Sequence, residues 1–366
     1  PSIVYWEYQG GNIARRHLDT GDNKDIQPKP GPGDPDFRWS WDTPIVLGAH
    51  DPGRIYVACQ FLFRSTDRGD TWQRLSPDLT TDDPDLQRQR ESGGLTVDNT
   101  TAENHCTIVT VAESPLDPAL IWVGTDDGNL QVTADDGAEW SNVAGRIDGV
   151  PAGTWVSCVE PSRHARQTCF VTLDGHRRGD MTPHVYRTDD LGRTWRAITT
   201  DAVRGFAHVI RQDPVNPDLL FLGTEHGLFV SLDGGGNWAH YDEAFPHVPV
   251  RDLVIHPREH ALVLGTHGRG IWIIDDISPL RQITAEALAQ DVHLLASPPA
   301  FQSAWRGKSH SPGNNYFVGG NPSRDAKIIY FLKKRHMFGD MYLEIYDPGG
   351  ELLKTLPAGK RKGINV

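Results

Sequence analysis

The chain has 366 residues, 38% apolar and 23% charged, with 37 Gly and 26 Pro; so turn-rich a composition argues against a single helical domain and fits two domains or one large all-β array. Lys and Arg number 36 against 48 Asp and Glu, a net charge of −12, which repels phosphate backbones and anionic lipid and leaves no electrostatic footprint for nucleic acid. No window approaches 18 consecutive apolar residues, so no membrane span is expected.

The opening residues hold neither an initiator Met nor a basic-then-apolar leader, which suggests a processed chain or a piece of a longer one. Ile3–Tyr8 and Asn12–Leu18 read as outer strands of a sheet whose inner strands are absent. Five units follow, at about 43–76, 105–143, 154–198, 205–242 and 250–277. Each starts with a β-rich run (Ile45-Val-Leu, Thr107-Ile-Val-Thr-Val, Trp155-Val-Ser-Cys-Val, Ala207-His-Val-Ile, Val250-Arg-Asp-Leu-Val-Ile). A Pro turn and a second apolar run come next, such as Leu120-Ile-Trp-Val-Gly124. Four units then close on Ser/Thr-x-Asp-x-Gly-x-x-Trp: Ser65, Asp67, Gly69, Trp72; Thr133, Asp135, Gly137, Trp140; Thr188, Asp190, Gly192, Trp195; Ser231, Asp233, Gly235, Trp238. The aspartates are 68, 55 and 43 residues apart, and four copies, each after a strand-like run, mark a repeat.

The chemistry of this motif is local. An Asp in a tight turn accepts backbone N–H bonds two residues on, the Gly takes a positive φ, and the Trp buries a large ring against the hairpin. The reading is that these aspartates fasten turns and touch no substrate; a lone Asp with Gly and Trp lacks the oxygen ligands of a calcium loop. The fifth unit lacks the motif, although Gly265–Asp275 aligns without a gap on Gly223–Asp233. Four antiparallel strands per repeat of about 40 to 50 residues match the blade of a β-propeller. The expected fold is therefore all-β, with about five blades plus a partial one over residues 1–280, part of a larger propeller.

Beyond Asp276 the pattern changes. Thr284 caps an expected short helix over Ala285–Gln290, and a polar Gly/Ser/Pro stretch from Ser297 to Pro322 reads as a linker, which makes 281–322 a connecting segment. Lys327–Lys333, Met341–Tyr346 and Glu351–Leu356 alternate like strands, with a hairpin turn at Asp347–Gly350, so 323–366 is read as an incomplete β-sandwich. The basic residues Lys360, Arg361 and Lys362 read as a solvated strand end. Four cysteines permit three pairings, and Cys59, Cys106, Cys158 and Cys169 are left open between buried thiols and disulfides. The sequon Asn99-Thr-Thr101 would matter only in a secretory host that glycosylates.

With these residues in view, the chain resembles the Asp-box, or bacterial-neuraminidase-repeat, propellers, and is most similar to bacterial sortilin-like propeller proteins often labelled glycosyl hydrolases. The four Asp boxes carry the likeness, together with Phe37–Pro44, Phe63–Trp72, Val250–Pro257, Gly265–Trp272 and Asp275–Ile277. The resemblance covers roughly residues 1–280 and implies an exported protein longer than this chain, with an Ig-like domain after the blades and the missing blades supplied by the same polypeptide or another subunit. Asp-box propellers include sialidases, xyloglucanase-type glycosidases and a peptide receptor, and a shared blade does not transfer a reaction. No segment matches the arginine triad or Tyr–Glu pair of sialidases, and no catalytic residue is carried over.

Propeller geometry still limits where a ligand would bind. The Asp boxes join third and fourth strands on one face. The opposite face receives the turns between second and third strands, with Asp126, Asp127, Glu225, His226, His267 and Arg269. It also receives the crossovers, with Trp39, Trp41, Asp42, Glu103, His105, Trp155, Arg204, His208, Arg251 and Asp252. Aromatic platforms with carboxylates suit a glycan, either bound or cleaved by a carboxylate pair. The arginines suit capture of a peptide or protein segment. In the third reading Arg and Asp merely pair between blades and Trp packs over the channel entrance. No metal or other cofactor is expected, since His105, His208, His226 and His267 lack a His-x-x-x-His or Cys-x-x-Cys partner.

Overall fold

The computed structural model describes residues 2–92, 99–100, 102–242, 245–297, 300 and 325–366. The linker expected from Ser297 to Pro322 falls largely outside them, as does Thr101 of the sequon. The described chain is all-β apart from five-residue and shorter helical turns. It divides into two compact units, one of Pro1–Val254 with Leu264–Trp272 and one of Ile255–Val263 with Ile273–Val366.

The first unit is a succession of antiparallel sheets, each built from strands consecutive in sequence. β1 (Ile3–Tyr8), β2 (Asn12–His17) and β3 (Asn23–Asp25) form the first. β4 (Ile45–Leu47), β5 (Ile55–Ala58), β6 (Leu62–Ser65) and β7 (Gln73–Arg74) form the second. The third holds β8 (Ile108–Ser114), β9 (Asp117–Thr125), β10 (Leu130–Thr133) and β11 (Ser141–Asn142). The fourth holds β12 (Trp155–Pro161), β13 (Cys169–Asp174), β14 (His184–Thr188) and β15 (Arg196–Ala197). The fifth holds β16 (Ala207–Gln212), β17 (Leu220–Thr224), β18 (Gly227–Ser231) and β19 (Ala239–His240). β20 (Val250–Ile255), β21 (Leu262–Thr266) and β22 (Ile271–Ile274) make a three-stranded sheet.

The apolar cores lie between successive sheets. Ile13, Ile26 and Trp39 pack with Ile55, Val57 and Phe63; Tyr56, Leu62 and Leu75 with Ile108, Ile121 and Val123; Leu120, Trp122 and Leu130 with Val156, Val171 and Tyr186; Phe170, Val185 and Ile198 with Ile210, Leu222 and Phe229. Second-position strands such as β5 and β17 are buried along their whole length because both faces are covered. Short continuous apolar runs rather than strict alternation are the sequence consequence.

The repeated turns fasten each sheet to the one before it. In all four the Ser or Thr hydroxyl donates to the aspartate, at 2.7, 2.7, 2.8 and 2.9 Å, and accepts the Gly N–H, at 2.7, 3.0, 2.9 and 2.9 Å. The aspartate accepts the backbone N–H four residues on, from Thr71, Glu139, Thr194 and Asn237, at 2.8 to 3.0 Å. This corrects the expected bond two residues on. Two consecutive residues, not one, have positive φ: Arg68, Asp136, Leu191 and Gly234 precede Gly69, Gly137, Gly192 and Gly235. Each Gly faces the residue that follows the outermost strand of the preceding sheet, Ile26, Leu75, Val143 or Ile198, where a Cβ would come within 2.6, 2.6, 3.0 or 2.9 Å. Three of the Trp indoles donate to those same residues' carbonyls: Trp72 to Ile26 at 2.6 Å, Trp140 to Leu75 at 3.3 Å and Trp238 to Ile198 at 2.6 Å.

In the second unit, α1 (Ala285–Ala289) is capped by Thr284, whose hydroxyl accepts the Ala287 N–H at 3.2 Å. β23 (Val292–Leu295), β24 (Ile329–Leu332) and β27 (Gly363–Asn365) form a sheet, and β25 (Tyr342–Tyr346) with β26 (Leu352–Pro357) forms a hairpin turned at Asp347. β23 and β27 were not expected; β27 pairs with β24 just past the basic residues, where Lys360 Nζ reaches the Gly339 carbonyl at 2.6 Å.

All four cysteines are free and buried. Cys158 lies opposite Thr172 and Cys169 opposite Pro161 in the β12–β13 ladder, so the two thiols are out of register for a bridge.

Candidate functional site

The first strands of the sheets, β4, β8, β12, β16 and β20, border a common cavity of about 780 Å³ in the first unit. In β8, β12 and β16 the ladder with the second strand slips by one residue, between Ile108 and Thr110, Val156 and Cys158, and Ala207 and Val209. The extra residue in each is Val109, Ser157 or His208, and all three line the cavity. A β-bulge re-aims a side chain that a regular strand would bury or turn away, so a one-residue insertion at the same point in three sheets builds this wall.

His208 is the most constrained group there. It is 6% exposed, with Nε2 3.2 Å from Glu225 Oε2 and Nδ1 3.4 Å from an Arg251 guanidinium nitrogen and 3.8 Å from Asp174 Oδ2. Arg251 also stands 3.6 Å from Glu225. Burial and the Arg251 charge lower the His208 pKa below the ordinary imidazole value, against the opposing pull of Glu225 and Asp174. Asp174 in turn is held by His176, through the ring at 2.6 Å and the backbone N–H at 3.0 Å, and His176 stacks on Phe206 with centroids 4.4 Å apart. Arg177, an exposed residue, lies over the Trp155 ring at 4.2 Å, a cation–π contact.

Arg211 also lines the cavity. It donates to the Leu253 carbonyl at 2.9 Å and to Asp252 Oδ1 at 3.1 Å, and stands 2.9 Å from Cys158 Sγ and 3.5 Å from Glu160. Burial raises the Glu160 carboxyl and the Cys158 thiol above their ordinary ranges. Asp42 also lines the cavity and is exposed, with no hydrogen bond or ion pair among the described residues.

Of the residues expected on this face, Asp42, Trp155, Arg251, Asp252 and His267 meet at the cavity, and Glu225 joins it through His208. Others lie apart from its lining. Asp127 is 2% exposed and accepts from Thr81 N and Oγ1, at 2.7 Å each, so it fastens the crossover rather than facing solvent. Glu103 accepts from Thr100 N and Oγ1 at 2.5 and 2.7 Å. Trp39 is buried in the first core with Ile13 and Ile55 rather than on a rim. Trp41, Arg204, His226 and Arg269 are exposed; the Arg204 carbonyl accepts from Thr224 and the Arg269 carbonyl from Trp272.

His105 and Asp126 line a smaller cavity of about 60 Å³ with Trp155, Asp174 and Arg177. Asp126 is tied to Thr107 N at 2.8 Å and Oγ1 at 2.7 Å; burial raises its pKa against His105 and those two bonds.

Sequence reasoning missed Asp174, His176, Arg177, Ser157 and Arg211. Asp174 ends the second strand of its sheet, and His176 and Arg177 follow before the third, the position that pointed to Glu225 and His267 in its neighbours. Among the described residues no group of three or more His, Cys, Asp or Glu could hold a metal ion, and no helix is long and apolar enough to cross a membrane.

No family model matches the chain. An oligoxyloglucan-reducing end-specific xyloglucanase of Emericella nidulans is 29% identical over 106 residues, 28% of this chain and 13% of that protein. Among solved structures, the GH74 xyloglucanase of Xanthomonas campestris superposes with TM-score 0.52 at 20% identity, over 78% of this chain and 44% of that one. YCF48 from Cyanidioschyzon merolae gives TM-score 0.47 at 14% identity, over 74% and 79%. The chain thus spans less than half the length of the two xyloglucanases it matches, and its fold is that of a β-propeller built of four-stranded antiparallel blades.

Proposed function

We propose that this is an exported Asp-box propeller of the sortilin-like kind that acts as a binding module, taking an extended glycan or peptide into the cavity on the face opposite the aspartate turns. The observation that carries this reading is the state of the cavity carboxylates. Asp174 is held by His176, Asp252 by Arg211, and Glu225 by His208 and Arg251, which leaves Asp42 as the one lining carboxylate without a hydrogen bond or ion pair among the described residues. Cleavage of a glycosidic bond needs two available carboxyl groups flanking it, one as acid and the other as base or nucleophile, whereas binding needs an aromatic surface and fixed polar groups. Trp155, Ser157, Asp42 and the exposed Arg177 supply those. The test is a glycan-array and peptide-library screen, with each hit repeated on Trp155→Ala. A hit that loses at least tenfold in affinity supports the reading, and one indifferent to Trp155 counts against it.

A second reading, glycoside hydrolysis, is favoured by one observation besides the xyloglucanase likeness. Asp126, whose carboxyl burial pushes above the ordinary range, and Asp174, hydrogen-bonded to the His176 ring, border the same small cavity beside Trp155, so two carboxyl groups in unlike surroundings meet there. Reducing-end release from xyloglucan oligosaccharides that vanishes in both Asp126→Asn and Asp174→Asn would make this the better account.

A further inference from the structure

One connection at the cavity is longer than its counterparts. β13 ends at Asp174 and β14 starts at His184, so nine residues, 175–183, join them. The same connection has three residues between β5 and β6, four between β9 and β10 and between β21 and β22, and two between β17 and β18. Three of the four titratable side chains in this segment are bonded within the fold. The His176 ring is bonded to Asp174 at 2.6 Å and stacks on Phe206, Arg178 donates to the Ala152 carbonyl at 2.6 Å, and Asp180 accepts from Thr182 N at 2.9 Å and His184 Nε2 at 2.7 Å. Arg177 is the exception. It is exposed, has no hydrogen bond or ion pair among the described residues, lies 4.2 Å over the Trp155 ring and lines both cavities.

That placement suits an acid. A guanidinium over an aromatic ring keeps its in-plane N–H fork available, and the fork matches a carboxylate bidentately. The ring also holds the long side chain in place, so less rotamer freedom is lost on binding. The carboxylates nearby are already engaged: Asp174 by His176, Glu225 by His208 and Arg251, Asp252 by Arg211, and Asp126 by Thr107. Asp42, which has no such partner, precedes β4 in the second sheet, whereas Trp155 opens β12 in the fourth. A uronic acid residue carries a ring with an apolar face and a carboxylate on the same six-membered unit. Trp155 and Arg177, in contact with each other, offer partners for both at one place; a peptide would bring the two groups on separate side chains.

We propose that Arg177 is a specificity-determining residue and that the cavity takes an acidic glycan, one uronate residue seated at Trp155 with its carboxylate on the Arg177 guanidinium. This rests on the binding reading above and names the ligand class for it.

The test is calorimetry on the full chain with tetragalacturonate and a hyaluronan tetrasaccharide, the methyl ester of each, and a tetraglutamate peptide. At least one of the two acids is expected to bind about tenfold or more tightly than its ester. Arg177→Ala is expected to remove that preference and Arg177→Lys to restore little of it, because an ammonium lacks the planar fork. Arg177 makes no hydrogen bond within the described fold, so both variants are expected to unfold at the temperature of the parent chain. Equal affinity for acid and ester, an acid preference that survives Arg177→Ala or returns in full with Arg177→Lys, tighter binding of the peptide than of either glycan, or no binding of either acid would overturn the proposal. The binding reading fails separately, when hits from the library screen are indifferent to Trp155→Ala.

Discussion

Gly137→Ala probes the clamp between sheets most sharply. At φ +90 the residue is left-handed, and a Cβ would lie 2.6 Å from the Leu75 carbonyl oxygen, a backbone atom that also accepts the Trp140 indole. The left-handed conformation alone costs an L-residue roughly 1–2 kcal/mol, and forcing atoms into a packed site adds about 1–3 kcal/mol. The expected total is about 2–5 kcal/mol. Gly179 supplies the reference: its φ is +81 and nothing lies within 4 Å of its Cβ position, so Gly179→Ala carries the conformational part alone. Gly192, at φ +78 with Val143 Cγ2 at 3.0 Å, should fall between them. Urea unfolding followed by tryptophan fluorescence gives the three differences. If Gly137→Ala and Gly179→Ala cost the same, the contact between the turn and the preceding sheet contributes nothing and the clamp argument is wrong.

The tryptophans separate in the same way. Trp238→Phe removes a buried indole bond and strands the Ile198 carbonyl, at about 1–2 kcal/mol beyond the lost packing. Trp195→Phe should be milder by that amount, because the Trp195 indole N–H is buried without an acceptor among the described residues; equal costs in thermal unfolding would contradict the difference. Hydrogen bonds from Thr194 hold Asp190 at about 2. A depressed carboxyl stabilises the fold above its unfolded value near 3.8 and loses that contribution as pH falls through about 2. Acid unfolding of Asp190→Asn should therefore depend less on pH between roughly 4 and 2 than that of the parent chain, and parallel curves would refute this. His208 titrates below its unfolded value near 6.5, so its contribution is full above that pH and is lost as pH drops through the folded pKa. Stability of the parent chain should fall from neutral to mildly acidic pH more steeply than that of His208→Gln, and identical slopes would refute this.

The aspartate turns could be read from sequence because every bond that defines them, apart from the clamp, lies within eight residues. The clamp could not: nothing local says that Gly137 rests on Leu75, 62 residues earlier. The bulges at Val109, Ser157 and His208 escaped notice because one extra residue leaves an apolar run looking continuous while moving a side chain into the cavity. Asp126 and Asp127 show the opposite difficulty. A polar pair in a turn reads as a rim, yet Thr107 and Thr81 offer donors that draw both carboxylates inward. In the second unit, β23 and β27 went unseen because four- and three-residue strands carry too little alternation to register.

Ligand affinity measured by calorimetry on two substitutions, one on each face, bears most directly on the functional account, with the best glycan or peptide from the screen as titrant. Trp155→Ala should weaken binding at least tenfold, while Arg68→Ala, in an aspartate turn on the other face, should leave it unchanged. Weaker binding to Arg68→Ala together with undiminished binding to Trp155→Ala would place the ligand on the turn face and contradict the account.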